Sequence, residues 1–100
     1  MPEITILYWR DIPAQVIVGK GRTAEKRILP QRFEQAIDRC AMAIGARDID
    51  GYLAEWRRAG PVLREGDPAA LAEAEAARIE TSYDAARLSA LVAAAGWEQA

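Results

Sequence analysis

The sequence predicts an α+β fold, in which a small antiparallel sheet of two or three strands is packed by about four helices. Its β-rich stretches all lie before residue 30, whereas helix caps and helical spacing dominate the remainder. Alanine is abundant in the second half of the chain and favours helices. With 100 residues, no internal repeat and no linker, we expect a single domain over residues 1–100.

The strands are predicted from alternation and β propensity. Residues 3–9, EITILYW, form the first strand, and residues 15–19, QVIVG, form the second. The short link between them contains Pro13, which favours an antiparallel hairpin. Residues 24–29, AEKRIL, are predicted to form a third strand, whose charges suit the edge of a sheet.

Four helices are predicted from caps and apolar spacing. The first begins at Pro30 and ends at Gly45, and the second covers residues 49–59, with Asp48 as its cap. Residues 61–66 are expected to be an irregular connector. Asp67 caps the third helix, which runs to about residue 82, and Asp84 caps the fourth. The expected core consists of ten residues: Ile4, Ile6, Val16, Val18, Phe33, Ile37, Cys40, Ile44, Leu53 and Trp56.

Residue usage argues against several kinds of site. The chain has one cysteine and no histidine, so an intrachain disulfide and a thiol-only metal site are excluded. Histidine, the commonest general base and metal ligand, is absent. We therefore expect no catalytic residue, metal or cofactor. No apolar run is long enough to cross a bilayer, and the first residues lack a signal-peptide pattern, so the cytoplasm is the expected compartment.

Charge is unevenly distributed along the chain. The net charge is −2, which gives no global attraction to nucleic acid, so no nucleic acid is expected as a partner. A basic cluster nevertheless extends through residues 20–32 and includes Lys20, Arg22, Lys26 and Arg27. The Gly-Lys-Gly-Arg stretch could hold a phosphate through backbone amides and cations, although it lacks P-loop spacing. An anion or RNA binder that uses this cluster is therefore one alternative function.

The end of the first strand carries the quartet Tyr-Trp-Arg-Asp. In the structural interpretation, Asp11 organises the hairpin turn and Arg10 pairs with it. In the functional interpretation, Trp9, Arg10, Asp11 and Pro13 form an outward recognition surface, because Trp and Arg are frequent interface hot spots.

Three segments, YWRDIPAQVIV, PQRFEQAIDRCAM and GYLAEWRR, resemble the small bacterial virulence factor domain family over about residues 3–90. The free-standing alphaproteobacterial form is similar to a domain of conserved virulence factor C proteins, and the resemblance implies a link to folate and corrinoid one-carbon genes. The resemblance implies no particular reaction. The resemblance favours the functional interpretation, in which Trp9, Arg10, Asp11 and Pro13 form a recognition surface.

We therefore expect a non-enzymatic accessory protein that binds a partner protein at the hairpin end. Trp9 would be the anchor, with Arg10 and Asp11 setting the orientation of the partner. The alternative is an enzyme or enzyme subunit of one-carbon metabolism, in which Asp11 and Arg10 share a concave pocket with an anionic substrate. Neither the identity of the partner nor the oligomeric state follows from the sequence.

Overall fold

A computed structural model describes residues 2–43, 45 and 49–98, with the backbone alone at residues 49 and 50. The elements in chain order are β1 (Glu3–Trp9), β2 (Ile12–Val18), a 3-10 helix (Gly21–Thr23), β3 (Glu25–Ile28), α1 (Gln31–Ala43), α2 (Ile49–Leu53), β4 (Trp56–Leu63), α3 (Pro68–Ser82) and α4 (Ala85–Ala93). The predicted α+β class is confirmed. The three N-terminal strands are joined by a fourth, so the predicted sheet of two or three strands is close to the observed one.

The sheet has the order β3-β2-β1-β4, and all neighbouring strands are antiparallel. β1 and β2 form the predicted hairpin, in which Ile4 lies opposite Val18 and Ile6 opposite Val16. The predicted bounds of the second strand, residues 15–19, are wrong at its start, because β2 begins at Ile12 and Pro13 pairs with Tyr8 inside the strand. A register shift between Leu7 and Tyr8 ends this regular alternation before the turn. β1 is therefore a central strand, with β2 on one side and β4 on the other.

The predicted helix over residues 49–59 is wrong beyond Leu53, because residues 56–63 form a strand. The helical spacing of Tyr52, Leu53 and Trp56 is a local signal, whereas β4 obtains its hydrogen bonds from the distant strand β1. Gly60 lies inside this strand with φ 108°, and a Cβ there would lie 2.8 Å from the Ile4 carbonyl oxygen. The predicted connector therefore begins only after Leu63, and the predicted Asp48 cap lies outside the described residues.

The two faces of the sheet are covered unequally. α3 packs on the face that carries Ile4 and Val16, where its own Ala72, Ala76 and Ile79 are buried. On the opposite face, α1 and α2 cover only the end near Trp9, and α1 also packs on α4. This partial coverage leaves much of one sheet face open.

Most of the expected core is confirmed. Six of the predicted residues are buried: Ile4, Val16, Val18, Phe33, Ile37 and Cys40. Ile6 and Trp56 are half-buried and pack against this core. Leu53 is wrong as a core residue, since it is 54% exposed at the end of the short helix α2. Ile44 lies outside the described residues.

The predicted helix caps are confirmed at α3 and α4. The Asp67 carboxylate accepts a hydrogen bond from the Ala70 amide, and the Asp84 carboxylate accepts one from the Arg87 amide. Within the described ranges, every helix is too short or too polar to cross a bilayer.

Candidate binding surface

Trp9 lies in the core and is fully buried. Its indole N–H donates a hydrogen bond to the Tyr52 carbonyl oxygen at 2.9 Å, and its ring stacks on the Tyr52 ring. Pro13 is also buried. The prediction that Trp9 is an outward docking anchor is wrong, because α2 covers the indole and satisfies its polar atom.

Arg10 connects the hairpin end to the end of α4. Its guanidinium lies 5.4 Å from the centre of the Trp9 ring and 5.1 Å from that of Trp97, and Nη1 donates to the Ala95 carbonyl oxygen at 2.6 Å. Its Nε forms an ion pair with Glu55 Oε2 at 3.2 Å, and its Nη2 donates a hydrogen bond to Glu55 Oε1 at 3.5 Å. Arg10 has φ 55°, a left-handed conformation that is costly for a residue with a Cβ.

Asp11 uses both carboxylate oxygens within the molecule. Oδ1 accepts from the Arg57 guanidinium at 2.8 Å, and Oδ2 accepts from the Glu98 amide at 2.7 Å. The predicted pair between Arg10 and Asp11 is not formed, since each side chain turns to a different partner. The hairpin end is thus a junction that holds β4 and the turn after α4 in place.

The basic cluster is divided between the two faces of the sheet. Arg27 lies on the α3 side, where its Nε donates to Glu73 Oε2 at 2.9 Å. Lys26, the residue before it, lies on the opposite side. Arg32 donates to the carbonyl oxygen of Glu80 at 2.9 Å, and Arg22 is exposed on the 3-10 helix. The cluster is therefore not one continuous patch.

The open sheet face collects side chains from all four strands. The strand register places Arg58, Leu7, Gln15 and Ile28 in one row across the sheet, and Thr5, Ile17 and Lys26 in the next row. We call these seven residues the open sheet face. Ile28 is 82% exposed, and Leu7 and Ile17 are only half-buried. The face therefore carries an aliphatic strip, formed by Leu7, Ile17 and Ile28, that no described helix covers fully.

An apolar groove lies at the α1 end of the open sheet face. Leu7 and Ile28 line it from the strands, and Trp56, Tyr52 and Ile37 line it from β4 and the helices. The groove has a volume of about 260 Å³, and Gln15 and Glu34 are the polar side chains in its lining. This groove can accept apolar side chains of a ligand or partner.

A basic groove lies at the other end of the same face. Lys20, Lys26 and Arg58 line it together with Glu3, and its volume is about 380 Å³. Lys20 Nζ lies 3.1 Å from Glu3 Oε1. The lining carries a net charge of +2, opposite in sign to the chain as a whole. Sequence reasoning missed Arg58 because it placed this residue on a helix.

The remaining chemical groups do not form a reactive site in the described part of the chain. Burial raises the pKa of the Cys40 thiol above its ordinary value, and the nearby Arg10 opposes this effect. A buried thiol with a raised pKa is a poor nucleophile at neutral pH. Among the described residues, no three acidic, cysteine or histidine side chains come together as ligands for a metal ion.

Comparison with known proteins identifies one relationship. The family model described as "Virulence factor" matches residues 7–92 of the chain. No curated protein matches significantly, and no solved structure matches significantly. The matched region includes the last three residues of β1 and all the later strands and helices except the last residue of α4.

Proposed function

The chain belongs to the virulence factor family, and on that premise we propose that it is a non-enzymatic accessory domain that binds a partner protein through the open sheet face. We also propose that the protein is cytoplasmic. Cell fractionation followed by detection with a specific antibody tests this location.

The observation that carries the proposal is the exposure of Ile28 within an aliphatic face. Ile28 is 82% exposed, and the half-buried Leu7 lies in the same row of the sheet. Sheets in small domains normally bury an apolar face against another layer, and an exposed apolar patch commonly marks an interaction surface. A partner that covers this face would remove Ile28 and Leu7 from water.

The predicted site residues have a positioning role in this proposal. Trp9 and Pro13 fill the core beneath the hairpin end, and Arg10 and Asp11 fix the turn after α4. Asp11 also holds Arg57 of β4 through its ion pair. Together they set the places of Leu7 and the neighbouring β4 residues without touching the partner.

A matched pair of substitutions tests the proposal. Ile28→Glu places a charge on the open sheet face, and Met42→Glu places the same charge on α1, where Met42 is 77% exposed. Each variant is immobilised and exposed to native lysate of the source bacterium, and the retained proteins are quantified by mass spectrometry. We expect Ile28→Glu to lose a specific set of proteins that Met42→Glu retains. Identical retention by the two variants would contradict the proposal.

Anion binding is a second candidate, favoured by one observation. Lys20, Lys26 and Arg58 line a single groove, although Arg58 is distant from the two lysines in the sequence. The interaction of Lys20 with Glu3 reduces the charge available to an anion. The peptide and RNA titrations described below distinguish anion binding from protein binding.

A further inference from the structure

We infer that the partner segment for the open sheet face is an amphipathic helix whose apolar stripe is bordered on both sides by acidic residues. This inference rests on the proposed function and specifies the chemistry of the partner. It follows from the kind of surface that is open, from the placement of its cations and from the distance between them.

The open surface is a sheet face, not a free strand edge. Its rows present side chains of both central strands, represented by Leu7 and Ile17, whereas strand addition uses the backbone groups of an edge. Helices commonly complete sheet faces, as α3 does on the opposite side of this sheet. A helix laid along β1 and β2 would create the missing third layer.

Two cations border the aliphatic strip. Lys26 lies on edge strand β3 and Arg58 on edge strand β4, with Leu7 and Ile17 on the strands between them. Across three strand spacings, the two edges are about 14 Å apart. An α-helix with its side chains is about 10–12 Å wide, so it fits between these two positions. Acidic residues on each flank of such a helix would face a cation.

These two cations have no ion-pair partner in the described part of the chain. Lys20 contacts Glu3 and Arg27 contacts Glu73, whereas among the described residues no carboxylate lies within ion-pair distance of Lys26 Nζ or of the Arg58 guanidinium. Both side chains are exposed. They can therefore interact with an acidic partner without first breaking an ion pair in the described part of the chain.

Two other occupants fit the surface less well. A second copy of the chain offers acidic residues on α3, but the apolar residues Ala76 and Ile79 of that helix are already buried against its own sheet. Single-stranded RNA favours exposed aromatic side chains for base stacking, whereas the two rows of the open sheet face present Leu7, Ile17 and Ile28 as their apolar residues. The experiment that follows also tests for each of these two occupants.

The inference is tested with four labelled probes and fluorescence anisotropy. The first is an 18-residue helical peptide with Leu at i, i+3, i+4 and i+7 spacing and Glu on both flanks. The second carries Lys in place of Glu, the third scrambles the first peptide, and the fourth is a poly-U oligonucleotide. We expect the acidic helix to bind at least about tenfold more tightly than each of the other probes, a difference of about 1.4 kcal/mol.

Charge reversal supplies the matched control for the acidic peptide. The double variant Lys26→Glu/Arg58→Glu should weaken binding by at least about tenfold, and raising the salt concentration should weaken wild-type binding. Arg39→Glu reverses an exposed cation on α1, away from the open sheet face, and should leave the affinity within about twofold of wild type. Circular dichroism of each variant confirms that it remains folded.

Three results would overturn the inference: tighter binding of poly-U, equal binding of the acidic and basic helices, or self-association that buries Ile28 in a dimer. Failure of the inference is distinguishable from failure of the proposed function. If Ile28→Glu loses lysate proteins but the acidic helix does not bind, the stated partner chemistry is wrong and the docking surface stands. If Ile28→Glu and Met42→Glu retain the same proteins, the docking surface itself is wrong.

Discussion

Arg10 Nη1 donates a hydrogen bond to the Ala95 carbonyl oxygen at 2.6 Å, which joins the end of β1 to the residues that follow α4. The Asp11 amide donates to the Gly96 carbonyl oxygen at 2.8 Å in the same region. Residue types that are common in interface hot spots therefore make contacts within the molecule, between the hairpin end and the residues after α4. The surface available to a partner lies elsewhere, on the open sheet face.

Trp9→Ala should destabilise the protein by about 3–5 kcal/mol, because it removes a fully buried ring and leaves the Tyr52 carbonyl oxygen without its indole donor. Denaturant unfolding followed by circular dichroism measures this loss. Trp97→Ala is the control, since Trp97 is 47% exposed and should cost only about 1 kcal/mol through its contact with Arg10. Equal denaturant concentrations at the unfolding midpoint for the two variants would show that Trp9 is not a core residue.

Arg10→Gly should be more stable than Arg10→Ala by about 1 kcal/mol, although both variants lack the guanidinium. The native φ of 55° is unfavourable for Ala and accessible to Gly. Urea titrations of the two variants isolate this backbone effect from the lost side-chain contacts. If Arg10→Ala equals or exceeds Arg10→Gly in stability, the left-handed conformation at this position is refuted.

Glu75→Ala should cost about 2 kcal/mol, because the Glu75 side chain is only 7% exposed and accepts from Arg78 Nε at 2.7 Å. Glu73→Ala, two residues earlier on α3, should cost no more than about 0.5 kcal/mol, because Glu73 is 75% exposed. Chemical denaturation of the two variants compares a buried carboxylate with an exposed carboxylate on one helix. A larger loss of stability for Glu73→Ala than for Glu75→Ala would contradict the burial of Glu75 and the exposure of Glu73.

Stability should decrease as the pH rises above the ordinary pKa of thiols and then of phenols, from about pH 8.5 to beyond 10. Burial raises the pKa of Cys40, Tyr52 and Tyr83 in the folded protein. The unfolded chain therefore loses these protons first, so the stabilisation is complete at lower pH and disappears as the pH passes through the folded-state values. Thermal unfolding across this pH range measures the loss of stability.

Cys40→Ala is the control for the thiol contribution. Its unfolding temperature should fall less steeply with pH than that of the wild type, whatever its absolute stability. Thiol labelling offers a second readout, since Cys40 is fully buried and should react far more slowly in the folded protein than in urea. Rapid labelling of the folded protein at pH 8 would contradict the buried position.

Local signals were sufficient to predict most elements of the fold. Alternation identified β1 and β2, and the Asp67 and Asp84 caps identified the starts of α3 and α4, because each signal reports contacts within a few residues. β4 could not be predicted in this way. Its first residue, Trp56, continues the helical spacing of Tyr52 and Leu53, and only pairing with β1, such as Trp9 with Trp56, makes residues 56–63 a strand.

The candidate surface was harder to predict for the same reason. The exposure of Trp9 depends on α2, which packs over the indole from a distant part of the sequence. Likewise, Arg58 joins Lys26 only through the order of the strands. The sequence did identify Lys20 and Lys26 as basic residues near one another, but it could not divide the cluster between the two faces of the sheet.

The central position of β1 has a consequence for synthesis of the chain. β1 and β2 can pair as a hairpin early, but the other edge of β1 remains unpaired until β4 has been made, about 45 residues later. At synthesis rates of about 5–20 residues per second, this interval lasts about 2–9 s. During that time the β-prone segment EITILYW exposes one set of backbone groups to other nascent chains. Aggregation in the cell should therefore be governed by how quickly β4 reaches its place.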